Sequence, residues 1–173
     1  ELYQHADTVV VGEAEEIVAG LCEDLERGAA KPRYEAPDRP VLSLTPLPDI
    51  SLINLNSYSA MAIQYSRGCP FNCEFCDIIE IYGRKPRTKS PEQVIAEVEQ
   101  LRQRDWRGAV FIVDDNFIGN KVKVKEMLPH LAEWNNSLRH PFTFYTEASL
   151  NLADDADLLQ MMQDAHFTRV FLG

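Results

Sequence analysis

Three of the four cysteines fall in one short stretch, Arg67-Gly68-Cys69-Pro70-Phe71-Asn72-Cys73-Glu74-Phe75-Cys76, spaced C-x3-C-x2-C. Thiolates this close in sequence can serve one metal centre without help from distant chain. Cys22 lies far upstream, and no histidine sits in or beside the stretch. A closed structural zinc site takes four ligands, and an iron–sulfur cluster is normally held by four thiolates. Three ligands point instead to a centre with one open position. In a [4Fe–4S] cube, that leaves one iron for a group that is not protein. The competing reading is a zinc knuckle that borrows its fourth ligand. His5, His130, His140 and His166 are all distant in sequence, and none is paired with another ligand at short spacing.

The surrounding elements decide where such a loop would stand. Ala60 to Tyr65 reads as a strand running straight into the cysteines. Ser90 is a candidate N-cap, with Pro91 at the first helical position and Gln93 completing a capping box. Val94, Ile95, Val98 and Leu101 then form a helical stripe. Ala109 to Val113 is a continuous apolar run, as expected of a parallel strand covered on both faces. It ends in Asp114-Asp115-Asn116. A second helix is expected from Lys121 to Leu138, although Pro129 should kink it or mark its early turns. Phe142 to Thr146 is a third strand, ending at Glu147. Asp154 can cap a third helix through Leu158, Leu159 and Met162, and Thr168 to Leu172 makes a fourth strand. The order β-α-β-α-β-α-β implies a parallel sheet with right-handed crossovers. Doubly wound sheets and barrels share it, and in both the ligand sits at the C-terminal ends of the strands. Those ends carry the cysteine loop, Asp114-Asp115-Asn116, Glu147 and Gly173.

The cysteine stretch, with Phe75 just before Cys76, resembles the C-x3-C-x-aromatic-C signature of the radical S-adenosylmethionine superfamily. The resemblance implies that Cys69, Cys73 and Cys76 hold a [4Fe–4S] cluster whose fourth iron binds the amino and carboxylate groups of S-adenosylmethionine. It places Phe75 near the adenine. The family's second-strand motif, often Gly-Gly-Glu, receives the methionine amino group; here that position reads Asp114-Asp115-Asn116, and a carboxylate is still available for the ammonium. Glu147 would face the same ligand. The implied chemistry is reductive cleavage of S-adenosylmethionine to a 5′-deoxyadenosyl radical. A finer similarity, to the cobalamin-binding branch that includes hopanoid C-2 methylases, rests on four stretches. These are Val11-Gly12-Glu13-Ala14-Glu15, Arg67-Gly68-Cys69-Pro70, Val113-Asp114-Asp115-Asn116-Phe117 and Thr146-Glu147-Ala148-Ser149. That branch implies cobalamin-dependent methylation of an unactivated carbon in the intact protein. The alternatives are a radical rearrangement or cyclisation without methyl transfer, or a non-catalytic iron–sulfur or zinc module.

With the resemblance, the fold expected is α/β: the first half of a partial (β/α)6 TIM-like barrel, preceded by the last β–α unit of a Rossmann-like domain. Residues 1–30 are assigned to that unit, 31–57 to a proline-rich linker, and 58–173 to the barrel, cut after its fourth strand. The linker holds Pro32, Pro37, Pro40, Pro46 and Pro48, a density that opposes regular pairing. No Asp-x-His-x-x-Gly cobalamin motif is present, so these residues are not expected to bind cobalamin themselves. In residues 14–27, Ile17, Val18, Leu21, Cys22 and Leu25 share one helical face, which predicts a buried, inert Cys22. Arg84-Lys85-Pro86-Arg87-Thr88-Lys89 reads as a solvated loop. For Asp114-Asp115-Asn116 the bland alternative is a capping turn; for Glu147 it is a salt bridge.

The 173 residues carry a net charge of −10, which argues against a broad phosphate-binding surface and so against a nucleic-acid partner. Hydrophobic residues are 45% and charged residues 25%, an ordinary globular balance. No apolar run reaches the roughly eighteen residues of a membrane span. Few, clustered cysteines and no visible signal peptide suit a reducing, cytoplasmic setting. The chain lacks an initiator methionine and stops at a strand end, and is read as part of a longer protein. Its expected partners are a small-molecule substrate, lipid-like in the resembled branch, and an electron donor such as flavodoxin or ferredoxin.

Overall fold

The computed structural model describes residues 4–173, which divide into two units, one ending at Thr45 and the other Pro46–Gly173. The first three positions of the 1–30 segment lie outside the described residues. In the first unit, strand β1 (Val9–Val11) leads to helix α1 (Val18–Glu26) and strand β2 (Arg33–Glu35). The two strands pair in parallel, Val9 beside Arg33. Part of the proline-rich stretch is thus sheet, not the unpaired linker expected. The reason is local: Arg33, Tyr34 and Glu35 lie between Pro32 and Pro37 and keep their N–H groups, while the Pro32 carbonyl accepts from Val9 N–H at 3.0 Å. Helix α1 buries none of its residues, and Cys22 is exposed where a buried thiol was expected. One helix of nine residues on two strands of three offers no second layer to cover that stripe.

The second unit runs β3 (Ala60–Ile63), β4 (Ser66–Arg67), α2 (Ile78–Ile81), β5 (Arg87–Thr88), α3 (Pro91–Gln103), β6 (Ala109–Ile112), α4 (Lys121–Asn136), β7 (Phe144–Ala148), α5 (Ala156–Asp164) and β8 (Phe167–Leu172). Strands β3, β6, β7 and β8 form one parallel sheet in sequential order. Met61, Ile63, Val110, Ile112, Phe144 and Ala148 share one core with Val94, Val98 and Leu101 of α3, Val124, Met127, Leu128 and Leu131 of α4, and Leu158 and Met162 of α5. Each such side chain larger than alanine contributes about 1.5–3 kcal/mol by leaving water. The helices therefore cover one face of the sheet. On the other face Phe111 and Tyr145 are half-buried and Ala62 and Arg169 exposed. The run from Ala109 is thus covered by helices on one face, not both; its second set of apolar residues looks away from them.

The helix boundaries follow their caps. Ser90 accepts from Gln93 N–H and Gln93 returns a bond to Ser90 N–H, the expected capping box. Asp155, one residue beyond the predicted Asp154, caps α5 by accepting from Leu158 N–H at 3.1 Å. Helix α4 runs through Pro129 to Asn136. Buried Asn135 exchanges two bonds with the Phe142 backbone, at 2.8 and 2.9 Å, and fixes the turn into β7.

Lys89 is not solvated. Its ammonium and the Glu97 carboxylate form an ion pair with both side chains about 95% buried (4% and 5% exposed). Lys89 N–H also bonds the Tyr65 carbonyl at 2.9 Å, which ties the end of β5 to the end of β3. Burial raises the Glu97 pKa, and the Lys89 ammonium opposes that rise. Breaking one side of such a pair is far worse than replacing both. Lys89→Met should cost about 3–5 kcal/mol by stranding Glu97, and Lys89→Met with Glu97→Leu should recover most of it. Urea unfolding of the two variants beside the wild type measures this; equal losses in both would contradict it.

Candidate active site

The cysteine loop hangs from a small hairpin. Strand β4 pairs antiparallel with β5, Ser66 with Thr88 and Arg67 with Arg87, so both ends of the loop are held. Gly68 opens the loop at φ +100°, and a Cβ there would meet the Gly83 carbonyl at 2.8 Å and that of Lys85 at 3.1 Å. Only glycine fits both the backbone angle and that gap. Cys69 N–H bonds the Gly83 carbonyl at 3.2 Å, and Cys76 N–H the Cys73 carbonyl at 3.1 Å. All three cysteines are free; Cys73 is exposed, Cys69 and Cys76 half-buried. Among the described residues no three His, Cys, Asp or Glu side chains are grouped tightly enough to hold one metal ion. The thiols stand around a cleft, not against one another.

Asp114, Asp115 and Asn116 follow β6 and have three different surroundings. Asp114 is buried and does not line the cleft. Its two oxygens accept from Tyr65 N–H at 2.8 Å, Ser66 N–H at 2.8 Å and Ser66 Oγ at 2.6 Å. Its carboxylate holds the chain that enters the cysteine loop and is committed to protein donors. Asn116, also buried, sends its amide nitrogen to Ser149 Oγ at 3.1 Å and towards Cys69 Sγ at 3.8 Å. It accepts from Ser149 N–H at 3.2 Å. Asn116 thus links the cysteine loop to the end of β7 and points a donor at the Cys69 sulfur. Ser149 completes that link; its sequence signal is its place at the end of the Thr146-Glu147-Ala148-Ser149 stretch, which does not name its partner.

Asp115 and Glu147 face the cleft. Asp115 Oδ2 is buried with no hydrogen-bond partner in the protein. Burial raises the Asp115 pKa first, and the charge of Glu147 adds to it. Glu147 itself is exposed, and no described cation neutralises the pair. The cleft is open, about 540 Å³, and is lined by Cys69, Cys73, Cys76, Asp115, Asn116 and Glu147 with an apolar remainder that includes Leu150 and Phe171. Phe75 also lines it and is 92% exposed. The expected residues are therefore brought together on one rim, except Asp114 beneath it.

The arrangement defines a parallel α/β domain with thiols and carboxylates gathered at the C-terminal ends of its strands. Its sequence from residue 63 to 173 matches the pattern of the radical SAM superfamily, and the chain belongs to that superfamily. It is 48% identical over 97% of its length to an uncharacterized methyltransferase of Synechocystis sp., covering 31% of that protein. It is 38% identical over its whole length to the hopanoid C-2 methylase of Rhodopseudomonas palustris, covering 34% of it. The chain thus spans about a third of the length of these curated relatives. Its fold is similar to that of TsrM, a radical S-adenosylmethionine methyltransferase from Kitasatospora setae solved with cobalamin and a [4Fe–4S] cluster. The TM-score is 0.59 at 16% identity, over 66% of this chain and 22% of that one. No helix among the described residues is long and apolar enough to cross a membrane.

Asp114 gives the site a pH signature. Burial pushes its pKa from 3.8 up to about 6, against the bonds from Ser66 and Tyr65. The folded value lies above the unfolded one, so its contribution to stability is fully present below about pH 4. That contribution, about 3 kcal/mol, is lost as pH rises through 6. Asp114→Asn should flatten this slope. Its amide accepts on one atom only, leaving a backbone N–H unpaired at about 1–3 kcal/mol. Denaturation midpoints between pH 4.5 and 7.5 test it, and parallel wild-type and variant profiles would refute it.

Proposed function

We propose that the intact protein is a radical S-adenosylmethionine methyltransferase and that this chain supplies its cluster and cosubstrate site. One observation carries the reading. Three free cysteines and two carboxylates from adjacent strand ends line one cleft, and one carboxylate oxygen there is buried without a partner. That donor set fits a [4Fe–4S] cluster and S-adenosylmethionine. Cys69, Cys73 and Cys76 would hold the cluster, with the Asn116 amide donating towards the Cys69 sulfur. When bound, the cluster supplies the electron for reductive cleavage of S-adenosylmethionine to methionine and a 5′-deoxyadenosyl radical.

The other residues bind and orient. Asp115 and Glu147 are two uncompensated carboxylates, and the methionine ammonium is the cation that would relieve both their repulsion and the unpaired Asp115 oxygen. Phe75, exposed on the loop, offers a ring to the adenine. Asp114 keeps the loop entrance fixed and touches no ligand. The sequential sheet with helices on one face supports a partial (β/α)6 barrel over 58–173. The β1–α1–β2 unit supports assigning residues 1–30 to the end of a Rossmann-like domain; β2 falls in the 31–57 segment.

Within the family, the named relatives support methylation of an unactivated carbon, with cobalamin as a cofactor of the intact protein. A small, lipid-like substrate and a flavodoxin- or ferredoxin-type electron donor complete the proposal, in the cytoplasm.

Anaerobic reconstitution of the wild type should give about four irons per chain and a visible cluster band. Cys73→Ala should lose most of both. The full-length protein with strong reductant should release 5′-deoxyadenosine, and a cluster-loaded protein that never did so would sink the enzyme reading. In S-adenosylmethionine titrations, Asp115→Asn and Glu147→Gln should each weaken binding about tenfold to a hundredfold, the loss of one charge-assisted hydrogen bond. Unchanged affinity in both would remove them from the site.

A further inference from the structure

The face of the sheet opposite α3, α4 and α5 carries a row of side chains that the cleft chemistry does not use. Strand register sets Ala62, Phe111, Tyr145 and Arg169 side by side on β3, β6, β7 and β8. The Phe111 and Tyr145 rings are stacked, 4.6 Å between centroids and 3° from parallel. The Arg169 guanidinium lies over Tyr145, 5.1 Å from the ring centre. Ala62 is small and leaves the far end of the row open. One layer nearer the cleft, Glu147 stands beside Phe171, which is 61% exposed.

Arg169 is the sole basic side chain on this face of the four strands. In a chain of net charge −10 it nonetheless has no carboxylate within ion-pairing distance among the described residues. Glu147 is its diagonal neighbour, yet it acts on Asp115 instead. The ring holds the guanidinium by cation–π attraction and leaves its N–H edge free. That edge matches the geometry of a carboxylate or phosphate, which it can bind through two parallel hydrogen bonds. Arg169 lies two residues below the Glu147 layer, about 7 Å along the strand. It is therefore set back from the carboxylates that face the cleft, on the face of the sheet that the helices leave open.

We propose that Arg169 is a substrate-specificity residue: it takes an anionic oxygen group, carboxylate or phosphate, of a substrate whose apolar body lies along Phe111, Tyr145 and Phe171. The proposal rests on the reading of the cleft as the S-adenosylmethionine site, because that reading makes the face shared with Glu147 and Phe171 the substrate side. An aliphatic or terpenoid acid or a phosphate ester fits this face; a neutral hydrocarbon leaves the arginine unanswered.

The test is calorimetric titration of the cluster-reconstituted protein with octanoate, octyl phosphate and 1-octanol. The wild type should bind at least one anion about tenfold or more tightly than octanol, and the preferred anion identifies the group. Arg169→Met should erase that preference while leaving octanol binding unchanged, and Arg169→Lys should keep part of it. Arg169 is exposed, so its replacement spares the core. Equal binding of anions by wild type and Arg169→Met, or no wild-type preference for an anion, overturns the proposal. So does a matching fall in S-adenosylmethionine affinity in Arg169→Met, which would give the arginine to that ligand's carboxylate. If instead S-adenosylmethionine fails to bind while the anion preference still depends on Arg169, it is the cleft reading that fails.

Discussion

The site depends on the buried carboxylate of Asp114. It stands at the end of β6 and accepts three hydrogen bonds from Tyr65 and Ser66, at the end of β3. A parallel sheet fixes strands only along their paired length, and the pairing of β3 with β6 stops at Ile63 and Ile112. Beyond that point the chain would be free to splay. The Asp114 bonds carry the register onward to the first residue of β4 and so set where the cysteine loop begins. Burying a carboxylate is unfavourable, and its raised pKa records the strain. The three donors offset much of it, which suits a residue that has no room to relax.

Around that anchor the loop is held by independent means. Gly68 lets the chain turn beneath Gly83 and Lys85, where any side chain would strike backbone. The buried Lys89–Glu97 pair holds the other end of the hairpin against α3. Asn116 and Ser149 bridge the loop to β7. Each tie comes from a different element, so the thiols are placed by the whole sheet edge. The loop between them, from Phe71 to Phe75, stays exposed. A rigid frame with an open centre suits a site built to receive a bulky inorganic group and a second ligand.

The open face follows from the same layering. With α3, α4 and α5 on one side, residues alternate along each strand between a closed core and an open surface. That alternation divides Val110 from Phe111 and Thr146 from Tyr145, although all four lie in runs that look uniformly apolar or mixed. It also puts Arg169 and Glu147 on the face away from those helices, while Asp115 is the one carboxylate of its triplet with an unanswered oxygen.

The family motif and the order of elements were legible in the chain alone. C-x3-C-x2-C reads as a candidate ligand set without any fold, because its three cysteines are close in sequence. The capping box at Ser90 and the apolar stripes of α3, α4 and α5 are local too, since caps and helical periodicity need only neighbouring residues. What tertiary structure alone decided was what each polar group faces. Asp114, Asp115 and Asn116 are three adjacent acceptors of similar character; only the position of β3 makes the first a tie and leaves the second open. Lys89 reads as part of a solvated basic run until α3 brings Glu97 beside it. Cys22 reads as core from its helical stripe, yet among the described residues nothing packs over it. Burial and pairing arise between residues far apart in the chain, and local pattern carries no record of them.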